Sequence, residues 1–222
     1  MQRTNDSARY RQPAPRRRRR RGGGGRILAW LLLFALAAGL AGWYLYGAHQ
    51  KELLRRTLAT YPLAYRELIQ RYAAEQGLEP AYIAAIIMSE SSFNANATSG
   101  VNAQGLMQIM PDTGQWIAGK FDDTYSEGCL YDPELNIKYG CWYMGWLIDR
   151  YSGDKACASA AYHSGQGAVD EWLKDSAYSA DGRTLTVIPG ENAKIYVERV
   201  LERYEKYKEI YGVGLTEHME AL

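Results

Sequence analysis

Among the acidic residues of this 222-residue chain, Glu90 has the setting that catalysis needs. Ile83, Ile86 and Ile87 precede it by seven, four and three positions, so on a helix its carboxylate lies on their apolar face. Desolvation disfavours the carboxylate anion, and the negative end of a helix dipole disfavours it further. A carboxyl group held neutral near the working pH can donate a proton as a general acid. The plainer reading is a solvated glutamate at a helix end, because glutamates are seldom buried without a partner.

Four further segments decide between these readings. Glu90-Ser91-Ser92-Phe93-Asn94 leads, through Ala97-Thr98-Ser99-Gly100, to Gly105-Leu106-Met107-Gln108-Ile109-Met110-Pro111. Later come Ala160-Ala161-Tyr162-His163-Ser164-Gly165-Gln166-Gly167 and Ile195-Tyr196-Val197-Glu198-Arg199-Val200. Taken singly, Met107 or a lone helical tyrosine would be packing. In this order the set resembles the catalytic domain of Slt-type lytic transglycosylases, which share the goose-type lysozyme fold. The resemblance covers about 140 residues, from the helix before Glu90 to the last helix.

The resemblance implies that Glu90 is the acid/base, with Ser91 as the second member of its motif. It implies that Ser99 orients a sugar acetamido group, and that Gly105, Leu106, Met107 and Gln108 line the saccharide groove. It also implies that Tyr162 and His163 stand where the family has Tyr-Asn, and that Tyr196 bonds or shields Glu90. His163 departs from the family's asparagine, and Glu191-Asn192-Ala193-Lys194 departs from its usual run before the late tyrosine.

The implied reaction cleaves the bond between N-acetylmuramic acid and N-acetylglucosamine in peptidoglycan glycan strands and closes a 1,6-anhydro ring, with no metal and no cofactor. Ordinary glycosidases use two carboxylates. Here no motif supplies the second: Asp112 follows Pro111 as a helix cap would, and Asp123 lies in no motif. A lysozyme-like hydrolase on the same fold is the nearest alternative. A non-catalytic, membrane-tethered wall-binding scaffold is another, and loss of the carboxylate would have favoured it.

The elements that must position these residues read as helices, with no run of period-two alternation. The pattern predicts a mainly α domain. Its helices run from a first turn at Pro62 to a stop at Gly77, from Pro80 to Glu90, and then over 112–120, 132–151, 156–163, 167–174 and 192–211. Loops fall at 91–104, rich in Ser, Asn and Thr, and at 175–190. Tyr196, Tyr204, Tyr207 and Tyr211 share one flank of the last helix, and Gly212 stops it.

Ahead of this domain the composition changes twice. Residues 1–26 hold ten arginines and one acid, leaving 16 basic and 24 acidic residues in the rest. That head, with Arg16–Arg21 and Gly22–Gly25, lacks apolar residues and is expected to be disordered. Residues 27–46 then run twenty positions without a charge, about 30 Å as a helix, which matches a bilayer's hydrocarbon core. Arginines before it and Trp43, Tyr44 and Tyr46 at its exit predict a single-pass anchor with a cytoplasmic amino terminus and an extracytoplasmic catalytic domain. A cleaved signal peptide is the competing reading, but the apolar stretch exceeds the usual signal core.

The expected organisation is therefore a head at 1–26, a transmembrane anchor at 27–47, a stalk at 48–60, the lytic transglycosylase domain at 61–214 and a tail at 215–222. Arginine runs also suit nucleic acid, but one that abuts a membrane span is better read as a topology signal. Cys129, Cys141 and Cys157 match no zinc spacing and no Cys/His nucleophile motif. Buried small residues or a single bridge are both open to them. No protein partner is legible.

Overall fold

A computed structural model describes residues 24–216; most of the arginine-rich head and the last six residues lie outside the described residues. The order is α1 (Gly24–Thr60), α2 (Arg66–Glu75), α3 (Pro80–Glu90), α4 (Pro111–Ala118), a 3₁₀ turn (Cys129–Tyr131), α5 (Pro133–Arg150), α6 (Lys155–Ser164), α7 (Gln166–Lys174) and α8 (Glu191–Tyr211). Among the described residues there is no strand, only isolated bridges pairing Thr98 with Gln104 and Gln104 with Ile109.

The described residues divide between Glu52 and Leu53 into two units. In the first, α1 exposes Ile27, Trp30, Phe34, Leu36 and Leu40 along its length, and it is long and apolar enough to cross a membrane. The anchor and the expected stalk are one unbroken helix that begins at Gly24. The second unit starts earlier than residue 61, for Leu58 already rests against its core. It also extends past residue 214: Leu215 is buried, and its carbonyl, with that of Gly214, accepts from Gln70 Nε2.

Within this unit α3 is the axis. Every residue from Ala81 to Ile87 is fully buried, so α3 has no solvent face, and α8 gives it its most extensive packing. Proline starts α3, α4 and α5 at their first turns, where a missing N–H costs nothing. Asp132 and Asp154 cap α5 and α6 by accepting from the Leu135 and Cys157 amides at 2.8 and 2.9 Å. Gly212, at φ 72°, ends α8.

Two expectations shift. Pro62 does not open a helix; it lies in an irregular segment where its carbonyl accepts from the Tyr207 hydroxyl at 2.7 Å and that of Tyr61 from the Tyr211 hydroxyl at 2.7 Å. The helix α2 begins instead after Tyr65, whose left-handed backbone, φ 57°, turns the chain into it. Asp112 sits in the first turn of α4 without capping it; the cap position belongs to Met110. The four tyrosines of α8 do share one buried flank. Cys141 and Cys157 are fully buried thiols, and Cys129 is partly exposed.

Candidate active site

Glu90 is the last residue of α3, and the chain turns away from the helix at once. Ser92 and Phe93 both take left-handed backbone angles, φ 51° and 64°, which cost a non-glycine residue about 1 kcal/mol each. This sharp exit leaves the Glu90 carboxyl half-buried at the end of a fully apolar helix. Desolvation pushes its pKa up to about 7. Two groups act the other way: the Tyr196 hydroxyl, which donates to Glu90 Oε1 at 2.5 Å, and the charge of Arg199. No carboxylate contributes to the Glu90 environment among the described residues.

Tyr196 projects from the first half of α8, is almost fully buried, and is kept protonated by burial and by Glu90 itself. The exposed ring of His163 stacks on it, centroids 4.5 Å apart and planes 16° from parallel. Burial and the charge of Arg199 lower the His163 pKa, which favours the neutral imidazole. Arg199 reaches back over the same Tyr196 ring, 5.6 Å from its centroid. One turn on, Arg203 Nη1 donates to the Met88 carbonyl at 2.8 Å and ties α8 to the end of α3.

The segment from Gly105 to Gln108 meets its surroundings mainly through its backbone. Leu106 and Met107 are fully buried, so their side chains pack in the core. Their backbone is what the site uses. Ser91 Oγ donates to the Leu106 carbonyl at 2.7 Å, and the Tyr162 hydroxyl donates to that of Met107 at 2.7 Å. The Met107 amide donates to Asn136 Oδ1 at 2.7 Å, while Asn136 Nδ2 donates to the Gln104 and Leu130 carbonyls. Gly105 is required sterically: at φ 76° a Cβ would stand 2.2 Å from the Leu130 carbonyl oxygen and 2.3 Å from Asn136 Nδ2.

Gln108, left-handed at φ 49°, donates its amide hydrogens to the Ala97 and Gly105 carbonyls, which leaves Oε1 as its accepting group. Ser99 Oγ accepts from the Ala103 amide at 3.0 Å and from that of Val101, which leaves its own proton to donate. The structure therefore joins Glu90, Tyr196 and His163 in one cluster, and ties Ser91 and Tyr162, whose hydroxyl feels the Glu90 charge, to the backbone of Leu106 and Met107. Ser99 and Gln108 brace the 97–108 loop, and neither hydrogen-bonds to Glu90.

Sequence reasoning missed Asn136 and Arg199. Asn136 is a fully buried polar residue three positions after the proline that starts an apolar helix, and that register was the available signal. Arg199 lies three residues after Tyr196, on the same side of α8, among other charged residues that hide it. Asp123, weighed above, is held by Lys138 at 2.7 Å and Tyr139 at 3.0 Å, away from Glu90. Among the described residues no cluster of His, Cys, Asp or Glu could hold a metal ion.

Residues 67–184 match the model of the transglycosylase SLT domain family. The soluble lytic murein transglycosylase of Salmonella typhimurium is 36% identical over 155 residues, covering 68% of this chain and 24% of that protein. The membrane-bound lytic murein transglycosylase C of Actinobacillus pleuropneumoniae is 33% identical over 168 residues, 66% of this chain and 46% of that protein. The crystal structure of the 70 kDa soluble lytic transglycosylase of Escherichia coli superposes with a TM-score of 0.64 at 32% identity, covering 74% of this chain and 27% of that one. The chain thus spans about a quarter of the length of these soluble relatives. At this identity the likeness carries the fold: the mainly helical, lysozyme-like domain expected from the sequence is the one found.

Proposed function

This chain belongs to the transglycosylase SLT domain family, and from that premise we propose that it is a membrane-anchored lytic transglycosylase acting on peptidoglycan glycan strands. The observation that carries the reading is Glu90 itself: a carboxyl whose pKa is raised to about 7, bonded by Tyr196, with no second carboxylate acting on it among the described residues. A glycosidase of the usual kind needs two carboxyl groups 5 to 10 Å apart, roughly. A site with one must obtain its nucleophile from the substrate.

In the proposed reaction Glu90 gives its proton to the glycosidic oxygen as the bond to C1 of N-acetylmuramic acid breaks, and the N-acetylglucosamine leaves as an alcohol. The 2-acetamido oxygen stabilises the cationic C1. The Glu90 anion, held on Oε1 by Tyr196, then takes the proton of the 6-hydroxyl as that oxygen closes on C1. Bonds and protons balance without water. Tyr196 has two effects of opposite use: it lowers the Glu90 pKa, which makes the acid stronger, and it keeps the anion in place for the second step.

His163 and Arg199 cover Tyr196, and the Gly105–Gln108 backbone fixes Tyr162 beside the carboxyl. Ser99, with a proton to donate, and Gln108 Oε1, as an acceptor, are the polar groups that the loop offers to sugar substituents. The apolar stretch of α1 supplies the anchor, with the arginine-rich segment before it on the cytoplasmic side and the enzyme outside.

The test is to digest purified peptidoglycan with the full chain in detergent and to weigh the soluble products. Anhydro-ended muropeptides, 18 mass units (about one water) below their hydrolytic counterparts, are expected. Reducing ends would instead make it a hydrolase, and no release would leave a wall-binding scaffold.

A further inference from the structure

Three of the chain's six tryptophans meet on the surface carried by α4 and α5. Trp116 of α4 packs edge-on against Trp142 at 5.2 Å and Trp146 at 5.6 Å, and against Tyr143 at 6.2 Å between centroids. Trp116 nevertheless remains 41% exposed, so its packing does not account for it. A tryptophan backed by two others and left open to solvent is an exposed apolar patch of the kind that marks a binding surface.

Two observations say what covers it. The patch is continuous with the catalytic groups: Tyr143 lies 5.5 Å from the ring of Tyr162, which is fixed to the Met107 carbonyl and lies within the electrostatic reach of Glu90. Its helix also begins three residues after Gln108, so one segment carries both. The patch carries a cation as well: Lys120 Nζ stands over the Trp116 ring, 5.4 Å from its centroid, at the distance of a cation–π contact, and makes no ion pair among the described residues. A sugar ring offers an apolar C–H face to the electron-rich face of an indole, and the peptide stems of peptidoglycan bring carboxylates.

We propose that Trp116, braced by Trp142 and Trp146, is a stacking platform for a saccharide of the glycan strand beyond the cleaved pair, with Lys120 positioned for a stem carboxylate. This rests on the reading of the chain as a peptidoglycan-cleaving enzyme. The platform lies two ring-to-ring steps from Tyr162, through Tyr143, so a strand must extend past the cleaved bond to reach it.

Binding can be read without cutting by placing Glu90→Gln in the full chain and measuring co-sedimentation with purified peptidoglycan. Adding Trp116→Ala is expected to weaken binding about ten-fold, as loss of one aromatic stacking contact does, and Trp116→Tyr to restore most of it. Lys120→Gln should weaken binding at low salt and lose its effect at high salt. In the cleaving enzyme, Trp116→Ala should raise KM on long strands with kcat nearly kept. Unchanged binding with Trp116→Ala overturns the platform. So does a fall in kcat with KM unchanged, which would place Trp116 in support of the chemistry. Failure of the enzymatic reading would show separately, as a wild-type chain that binds the wall and cuts nothing.

Discussion

The Tyr196 hydroxyl donates to Glu90 Oε1 at 2.5 Å across 106 positions of sequence, joining the last helix of the domain to the end of its central one. The bond stabilises the anion of an acid that burial holds near neutrality. Tyr196→Phe should therefore raise the Glu90 pKa further and move the alkaline fall of activity to higher pH. A hydrogen bond to a charged group contributes roughly 1.5 to 3 kcal/mol, so the maximal rate should drop about 10- to 100-fold. A pH–rate profile that keeps both its height and its position would remove Tyr196 from the mechanism.

Arg199 acts on the same carboxyl through charge alone. Arg199→Gln should also move the alkaline fall upward, by less than Tyr196→Phe, because the guanidinium is exposed. Profiles recorded at low and high salt separate the two: the Arg199 effect shrinks as salt screens it, and the Tyr196 effect stays.

The Gly105–Asn136 contact sets the stability of the loop beneath the site. Gly105→Ala would force a Cβ into the Leu130 carbonyl and the Asn136 amide at a positive φ, and should cost about 2 to 5 kcal/mol in urea unfolding. Asn136→Ala would strip partners from three backbone groups, with a loss of about 3 kcal/mol or more. Gly167, in α7 with nothing within 4 Å of a Cβ, is the control: Gly167→Ala should be neutral or slightly stabilising. Equal stability of the Gly105 and Gly167 variants would count against this account of the loop.

Much of this was legible in the sequence, and the limits have physical causes. Helices opened by proline and closed by glycine, and the apolar register ending at Glu90, are local signals, and they placed α3, α5 and α8 to within a residue or two. Pro62 misled because its segment is tied to distant residues, its carbonyl and that of Tyr61 accepting from the hydroxyls of Tyr207 and Tyr211, far along the chain. The motif names the Leu106-Met107 pair, but that its side chains are buried and its carbonyls hold Ser91 and Tyr162 is set by tertiary packing. Asn136 and the Trp116 cluster carry no motif, since each is defined by what tertiary packing brings to it.

Glu90 should also leave a mark on stability. Its pKa is about 7 in the folded chain against an ordinary 4.5, so between these values the folded state keeps a proton that the unfolded chain has released. The resulting stabilisation is full below about pH 4.5 and is lost as pH rises through about 7, on the order of 1 to 3 kcal/mol. Glu90→Gln, which cannot ionise, should lack this decline, so its stability relative to wild type should improve as pH passes from 5 to about 8. Parallel stability curves for the two proteins would show that Glu90 is not held neutral.

Glu90 as sole acid and base is tested most directly by comparing fragment release from purified peptidoglycan by the full wild-type chain and by Glu90→Gln, at a pH below 7 and with their melting curves recorded side by side. The expected result is a variant that melts cooperatively, at or above the wild-type temperature at neutral pH, and releases fragments at least about a thousand-fold more slowly. Release by Glu90→Gln at a rate close to wild type would contradict the account.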